Sequence, residues 1–244
     1  MPGTSYQIIT SAEKQSLEDN FSNFVGSNTN LFPAFDVSTA GSTYFGGYKV
    51  GYNDYVGIVS HVGVHQWLVR FGYSNDGMSQ PGFCIILSGI DALGVGITPH
   101  YRLTDPFNDI TWQYNTMVPN TLASQWETSW KNLNDVSVQN IPQSYCQMPA
   151  PYGSLRGYNF DVDDFLNLLD ENPHENTSDL EVYFTMVDHA EEAENPTDQP
   201  TLDGKVGVMV ALGQPMGNQN GNIATLISSF YDISAPCPPT CPGV

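Results

Sequence analysis

Apolar positions along this chain follow two different periods, and the period changes in the same order twice. From Ser11 to Phe24 the apolar residues Leu17, Phe21 and Phe24 recur at helical spacing, and Ser11 stands where an N-cap belongs. From Asn120 to Leu133 the spacing returns with Trp126, Trp130 and Leu133, and with Asn120 in the place of Ser11. A similar phrase follows each helix, Phe35-Asp36-Val37-Ser38 in one case and Phe160-Asp161-Val162-Asp163 in the other. Next come two short amphipathic stretches with acidic first turns, Asp54 to Val59 and Asp164 to Leu169. The first is β-branched, which leaves a strand through Val59–Val69 open there. Each half then offers two strands. These are Trp67–Tyr73 and Phe83–Ser88, joined around Ser74–Gly77, and then Leu180–Val187 and Val206–Leu212, joined by the longer acidic connection Asp188–Lys205.

Helix, phrase, short helix and hairpin recurring in order predicts an α+β fold: two tandem copies of a small helix plus antiparallel-sheet unit forming a pseudo-two-fold pair. The expected divisions are 1–110 for the first repeat, 111–234 for the second and 235–244 for a Pro- and Cys-rich tail, with the seam near residues 105–120. A unit of that size buries too little surface to be secure alone, so one joint core is expected rather than two independent beads.

The order of these motifs and the ending Phe230-Tyr231-Asp232 … Cys237-Pro238-Pro239-Thr240-Cys241-Pro242 resemble a family of uncharacterised bacterial proteins with one such unit and a similar tail. The resemblance covers one half well and the other loosely. It implies no activity, cofactor or site residue.

Composition narrows the function classes. The chain carries 26 acids against 7 Lys+Arg, a net charge of −19. A surface this acidic repels phosphate, which argues against a nucleic-acid partner. No run of 18 apolar residues occurs, so no membrane-spanning helix is expected. The opening Met1–Tyr6 lacks the basic and apolar regions of a signal peptide, giving a cytoplasmic expectation with leaderless export left open. The imbalance comes mostly from missing Lys and Arg, since only 14% of residues are charged against a usual quarter. Such a surface suits contact, because Lys is depleted at interfaces; adaptation to salt or an acidic niche explains it equally well.

Candidate chemistry is sparse. Cys237 and Cys241 flank Pro238-Pro239, which either bends the chain toward a disulfide or a docking tail, or holds the thiols apart. Cys84 and Cys146 are isolated, and zinc wants paired short spacings. His61 and His65 share a face on a helix or a strand, but a metal would need a third ligand such as Asp54 or Asp91 brought in by the fold. The acids of Asp188–Gly204 lack the order of a calcium loop, and Asp161, Asp163 and Asp164 read as a helix start rather than an acid/base dyad. No Gly-x-Ser-x-Gly or P-loop occurs, and Gly94-Val95-Gly96-Ile97-Thr98-Pro99 sets Pro where a dinucleotide loop needs its third Gly. No cofactor is expected. Tyr44, Tyr48 and Tyr52 alternate with Gly and small residues, a composition that supplies rigid contact area.

The expectation is therefore a non-enzymatic structural or interaction protein that assembles with copies of itself, as a homo-oligomer or filament, or with another protein. One alternative is a small-molecule or glycan-processing enzyme with a site between the repeats, using His61, His65 and Asp91 or Asp188. Another is a carbohydrate- or peptide-binding module using a Tyr-rich face.

Overall fold

The computed structural model describes residues 4–37, 44–74, 81–107, 120–135, 137–148, 153–170, 180–188, 205–213 and 235–236. Among them the fold is α+β, with five helices and two antiparallel sheets. The first half holds β1 (Tyr6–Ile9), α1 (Ser11–Ser27), α2 (Phe32–Phe35), β2 (Gly47–Gly51), α3 (Tyr52–Val59), β3 (Gln66–Tyr73), β4 (Phe83–Ile90), β5 (His100–Leu103) and β6 (Pro106–Phe107). The second holds α4 (Asn120–Leu133), β7 (Gly157–Asp161), α5 (Val162–Asp170), β8 (Glu181–Asp188), β9 (Val206–Gly213) and β10 (Ala235–Pro236).

The six-stranded sheet runs β1-β5-β4-β3-β7-β10 and the four-stranded sheet β6-β2-β8-β9. Each therefore contains strands from both sides of the expected seam. Strand β3 pairs with β7 from Gln66↔Asp161 to Arg70↔Gly157, and β2 pairs with β8 from Gly47↔Thr185 to Gly51↔Glu181. One contiguous core joins Trp67, Val69, Phe71, Ile85 and Leu87 of the larger sheet to Val50, Val182, Phe184, Val208 and Val210 of the smaller.

Strands β2 and β7 begin alike. Gly47 has φ +140° and Gly157 has φ +132°, a region that side chains avoid. A Cβ on Gly47 would lie 2.1 Å from the carbonyl oxygen of Phe184, and one on Gly157 would lie 2.0 Å from that of Val69. Glycine alone lets these two strands start flush against their neighbours. The tyrosine after each is buried and ties its strand to the start of another: Tyr48 donates to the Phe83 carbonyl and Tyr158 to the Val206 carbonyl, both at 2.6 Å. Helices α3 and α5 then meet through Tyr55 and Phe165, whose rings stack at 6.0 Å.

Several sequence expectations move by a residue or a face. The N-cap of α1 is Thr10 rather than Ser11, in a capping box with Glu13: Thr10 Oγ1 accepts from the Glu13 amide at 3.2 Å, and Glu13 Oε2 accepts from the Thr10 amide at 2.8 Å. Its buried stripe is Lys14, Glu18, Phe21 and Val25, with Leu17 and Phe24 half-buried beside it. The helix turns charge inward because the sheet face beneath carries Arg70, Ser88, His100 and Arg102 beside the apolar Cys84 and Ile86 that meet Leu17. The stretch after Asp54 is helical to Val59, and the strand starts only at Gln66. The phrases at Phe35 and Phe160 occupy different elements: the first ends α2, while the second passes from β7 into α5.

Candidate functional site

The most distinctive surface lies at one end of the larger sheet, where two loops meet. The first runs from Ser60 to His65 between α3 and β3, and turns on Gly63 at φ +89°. The second, Asp91–Pro99, connects β4 to β5. Asp91 builds it: Oδ1 accepts from the amides of Leu93 at 2.8 Å and Val95 at 2.9 Å. The backbone closes the turn, with the Asp91 amide donating to Val95 and the Gly94 amide to Asp91, both at 3.0 Å. Gly94 takes φ +79° at that bend. The Ile97 amide reaches the Gly89 carbonyl at 3.0 Å, and the Gly89 amide donates to Thr98 Oγ1 at 2.8 Å.

This bonding holds three aliphatic side chains in water, and the first loop adds Val62. Val62 is 97% exposed, Leu93 88%, Val95 56% and Ile97 40%. The loops adjoin, since a Cβ on Gly63 would lie 3.6 Å from Ile97 Cδ1 and the His65 amide donates to the Ile90 carbonyl at 2.7 Å. Turn tips ordinarily carry Gly, Asn, Asp or Ser. A rigid loop that presents Leu, Val and Ile instead has placed hydrophobic area where a partner can cover it. Sequence reasoning took Gly94–Pro99 for a failed dinucleotide loop and passed over these residues. Their signal was present, in apolar residues at 93, 95 and 97 alternating with glycines between two strands.

Electrostatics reinforce the contrast. All seven cations of the chain are drawn into intramolecular work or sit partly covered. Lys14 is buried 3.2 Å from Glu18, and Arg70 is buried and donates to Asn159 Oδ1 at 2.9 Å. Burial pulls the Arg70 guanidinium down to about 10, against a smaller opposing effect of Glu18. Lys49 lies 2.9 Å from Glu181 and 3.7 Å from Asp105; burial works against its charge, but the two carboxylates outweigh it and raise its pKa. Lys205 donates to the carbonyls of Ser144 and Gln147, Arg102 and Arg156 are half-buried, and the Lys131 ammonium sits 4.6 Å from the Tyr44 ring centre. Of these seven cations, only Lys131 is exposed.

The other sequence candidates do not converge. His61 pairs with the Tyr101 hydroxyl at 2.7 Å, while His65 is exposed. Asp91 adjoins them but is committed to its own loop, and Asp188 lies buried at the end of β8 in the other sheet, taking a bond from Tyr145 at 3.4 Å. Asp54 accepts from the amide and hydroxyl of Ser5, each at 3.0 Å. Asp164 accepts from the Asp161 amide at 3.0 Å, a local bond at the start of α5. Among the described residues, no three of His, Cys, Asp and Glu gather closely enough to hold a metal ion. Cys84 and Cys146 are free and buried, and burial pushes both thiols up to about 12. Cys237 and Cys241 lie outside the described residues, as does most of the acidic connection after Asp188.

The tyrosine face takes a different form from the one expected. Tyr44 is 3% and Tyr48 4% exposed, so both belong to the core, and only Tyr52 is half-open. Alternation with glycine fitted a contact loop, but Tyr48 lies in the buried strand β2, where Gly gives close approach and Tyr fills the space, Tyr44 is buried ahead of that strand, and Tyr52 opens α3. Replacing Tyr48 by Ala is accordingly expected to cost about 3–5 kcal/mol of stability. A denaturant titration reads this; a Tyr48→Ala variant of unchanged stability would return the ring to the surface.

A groove on the α1 side of the sheet, of about 350 Å³, is lined by Gln7, Ile9, Glu13, Leu17, Asn20 and Arg102. Arg102 also walls a neighbouring hollow of about 230 Å³ with Tyr48 and Pro106. Glu13 faces the groove already bound to Thr10, and no pair of titratable groups poised for acid and base work is seen among the described lining residues.

No helix among the described residues is long and apolar enough to cross a membrane. The chain matches no protein-family model, no curated protein and no solved structure.

Proposed function

We propose that this chain is a non-enzymatic structural or interaction protein that associates with copies of itself. The observation that carries this reading is the apolar end of the larger sheet, where Leu93, Val95 and Ile97 stand in water on an internally bonded loop and Val62 stands in water on the loop beside it. Exposed aliphatic side chains on adjoining loops support a role in contact rather than in catalysis. Withdrawal of the cations supports it as well. With little Lys or Arg turned outward, covering the surface immobilises few long cationic side chains.

With the four-residue α2 set aside, the order helix–strand–helix–strand–strand occurs at 11–90 and again at 120–213. We read the two as copies of one unit that trade strand partners, β2 to β8 and β7 to β3. Supporting this are the matched glycines Gly47 and Gly157, the matched hydroxyls of Tyr48 and Tyr158, and the Tyr55–Phe165 stack.

Association is expected to grow with salt, because screening relieves the repulsion between bodies of charge −19. Light scattering on the purified chain from low to high sodium chloride measures this directly. A mass that rises above 26.8 kDa supports the reading. A mass that stays there at every salt and protein concentration overturns it.

A further inference from the structure

The geometry points to a two-fold dimer sealed by the tips of the Ser60–His65 and Asp91–Pro99 loops. This assignment rests on the reading of the chain as self-associating, and adds the occupant, the surface and the point at which assembly stops. The occupant is a second copy of the chain.

Charge selects that occupant. From Tyr55 to Val69 the sequence has no Asp, Glu, Lys or Arg, and from Ala92 to Thr104 it has no acid and one Arg. The carboxylate of the two loops, Asp91, is turned onto the amides of Leu93 and Val95. At the rim stand two imidazoles, His61 held against Tyr101 and His65 exposed, and one exposed carboxylate from the neighbouring strand, Asp161, which accepts from Gln66 Nε2 at 3.3 Å. A second copy repels this one wherever acids face acids, and is opposed least where the meeting surfaces carry aliphatic tips. A cationic partner would be drawn instead to the acidic faces and would gain nothing from Val62 or Leu93. An anionic bilayer would be repelled by the body behind the tips.

Geometry selects the stoichiometry. A patch that contacts its own image is isologous, and the two-fold operation uses it up. Within the described surface, Val62, Leu93, Val95 and Ile97 gather at one end of one sheet. A contact built on them ends at two copies, where a filament would need a second and different surface. Side chains of this number and exposure amount to an apolar patch on the order of a few hundred Å². A standard interface takes about 800 Å² from each partner. The dimer is therefore weak and needs screening salt to form.

The test is sedimentation equilibrium of the full chain at low and high sodium chloride. It compares the wild type with Val62→Asp, Leu93→Asp, Asp91→Asn and, as a control, Val138→Asp. Val138 is 54% exposed and lies in the turn after α4, away from both loops in the chain. All four positions tolerate a polar group in water, and circular dichroism checks that each variant folds. The expected result is a monomer–dimer equilibrium at high salt, with the dimer dissociation constant raised at least about tenfold by Val62→Asp and Leu93→Asp, since each places a carboxylate in an apolar seam. Val138→Asp is expected to match the wild type. Asp91→Asn keeps the oxygen that accepts from Leu93 and Val95 while removing a charge, and is expected to dimerise at least as well as the wild type.

Association that persists unchanged in Val62→Asp and Leu93→Asp overturns the assignment of the surface and leaves self-association standing. Growth beyond two copies overturns the closed two-fold. A monomer throughout overturns both proposals. So does a monomer that floats with phosphatidylcholine vesicles and loses that binding in Leu93→Asp, which would make lipid the occupant.

Discussion

Residues 1–110 expressed alone are expected to remain unfolded, and residues 111–244 likewise, while the two mixed together recover a cooperative fold. The expectation follows from where the strands find their partners. Cut at the seam, β3 loses β7 along Gln66–Arg70, and β2 loses β8 along its whole length. The first half would keep the β3–β4 hairpin with β5 and β1, but their inner face was covered in part by the second half. Phe35 would lose the edge of Trp130, 5.2 Å away, and the Phe45 carbonyl would lose the bonds from the Trp130 indole at 2.7 Å and Asn134 at 3.0 Å. Tyr158 would likewise be missing from beside Phe71, where the rings stand 6.0 Å apart. Fragments of this size bury too little surface to absorb such losses. Circular dichroism and the dispersion of amide NMR signals, on each fragment and on the mixture, decide the matter. A cooperatively melting 1–110 would show that the halves are separate domains and that their shared core is incidental.

The second large effect is expected at Phe165. Its ring is fully buried and touches aromatic neighbours from one helix and three strands of the two sheets: Tyr55 on α3 at 6.0 Å, Trp67 on β3 at 5.8 Å, Phe160 on β7 at 5.5 Å and Phe184 on β8 at 6.1 Å. Its own backbone carbonyl accepts the Tyr55 hydroxyl at 3.0 Å. Phe165→Ala leaves a cavity walled by rings that belong to different elements and cannot collapse together, so the loss is expected at about 3–5 kcal/mol. Urea titration of the variant should show a lower midpoint with an unchanged slope. A variant that loses under 1 kcal/mol by that measure would mean that the central aromatic cluster repacks freely.

Much of the fold was legible because hydrophobic period reports local structure. The spacing of Phe21 and of Trp126 and Trp130 marked α1 and α4, and the continuous apolar runs marked β3, β4, β8 and β9. Period says nothing about partners, and so the crossing of β3 to β7 and of β2 to β8 was out of reach. The strand β2 was hidden for a related reason. Gly47-Tyr48-Lys49-Val50-Gly51 is glycine-rich and aromatic, which suits an exposed loop as well as a strand lying flush on its neighbour, and only burial separates the two. The inward charges of α1 were equally invisible, because Lys14 and Glu18 face a polar patch assembled from β3, β4 and β5. The apolar loop tips failed to register because a hydrophobic residue reads by default as core.

Strand exchange across the seam also sets a clock for the newborn chain. During synthesis, β3 leaves the ribosome with β4 soon available on one edge, while the edge meant for β7 stays bare until Asp161 has been added. At roughly 5–20 residues per second that wait is on the order of ten seconds. The wait for β2 is longer still, since β8 ends at Asp188. Throughout this interval two strand edges beside strongly apolar sequence are open to any neighbouring chain, including another copy on the same message. The yield of native protein in the cell is thus tied to translation speed and to chaperone cover, and a pause placed before β7 would prolong the hazard.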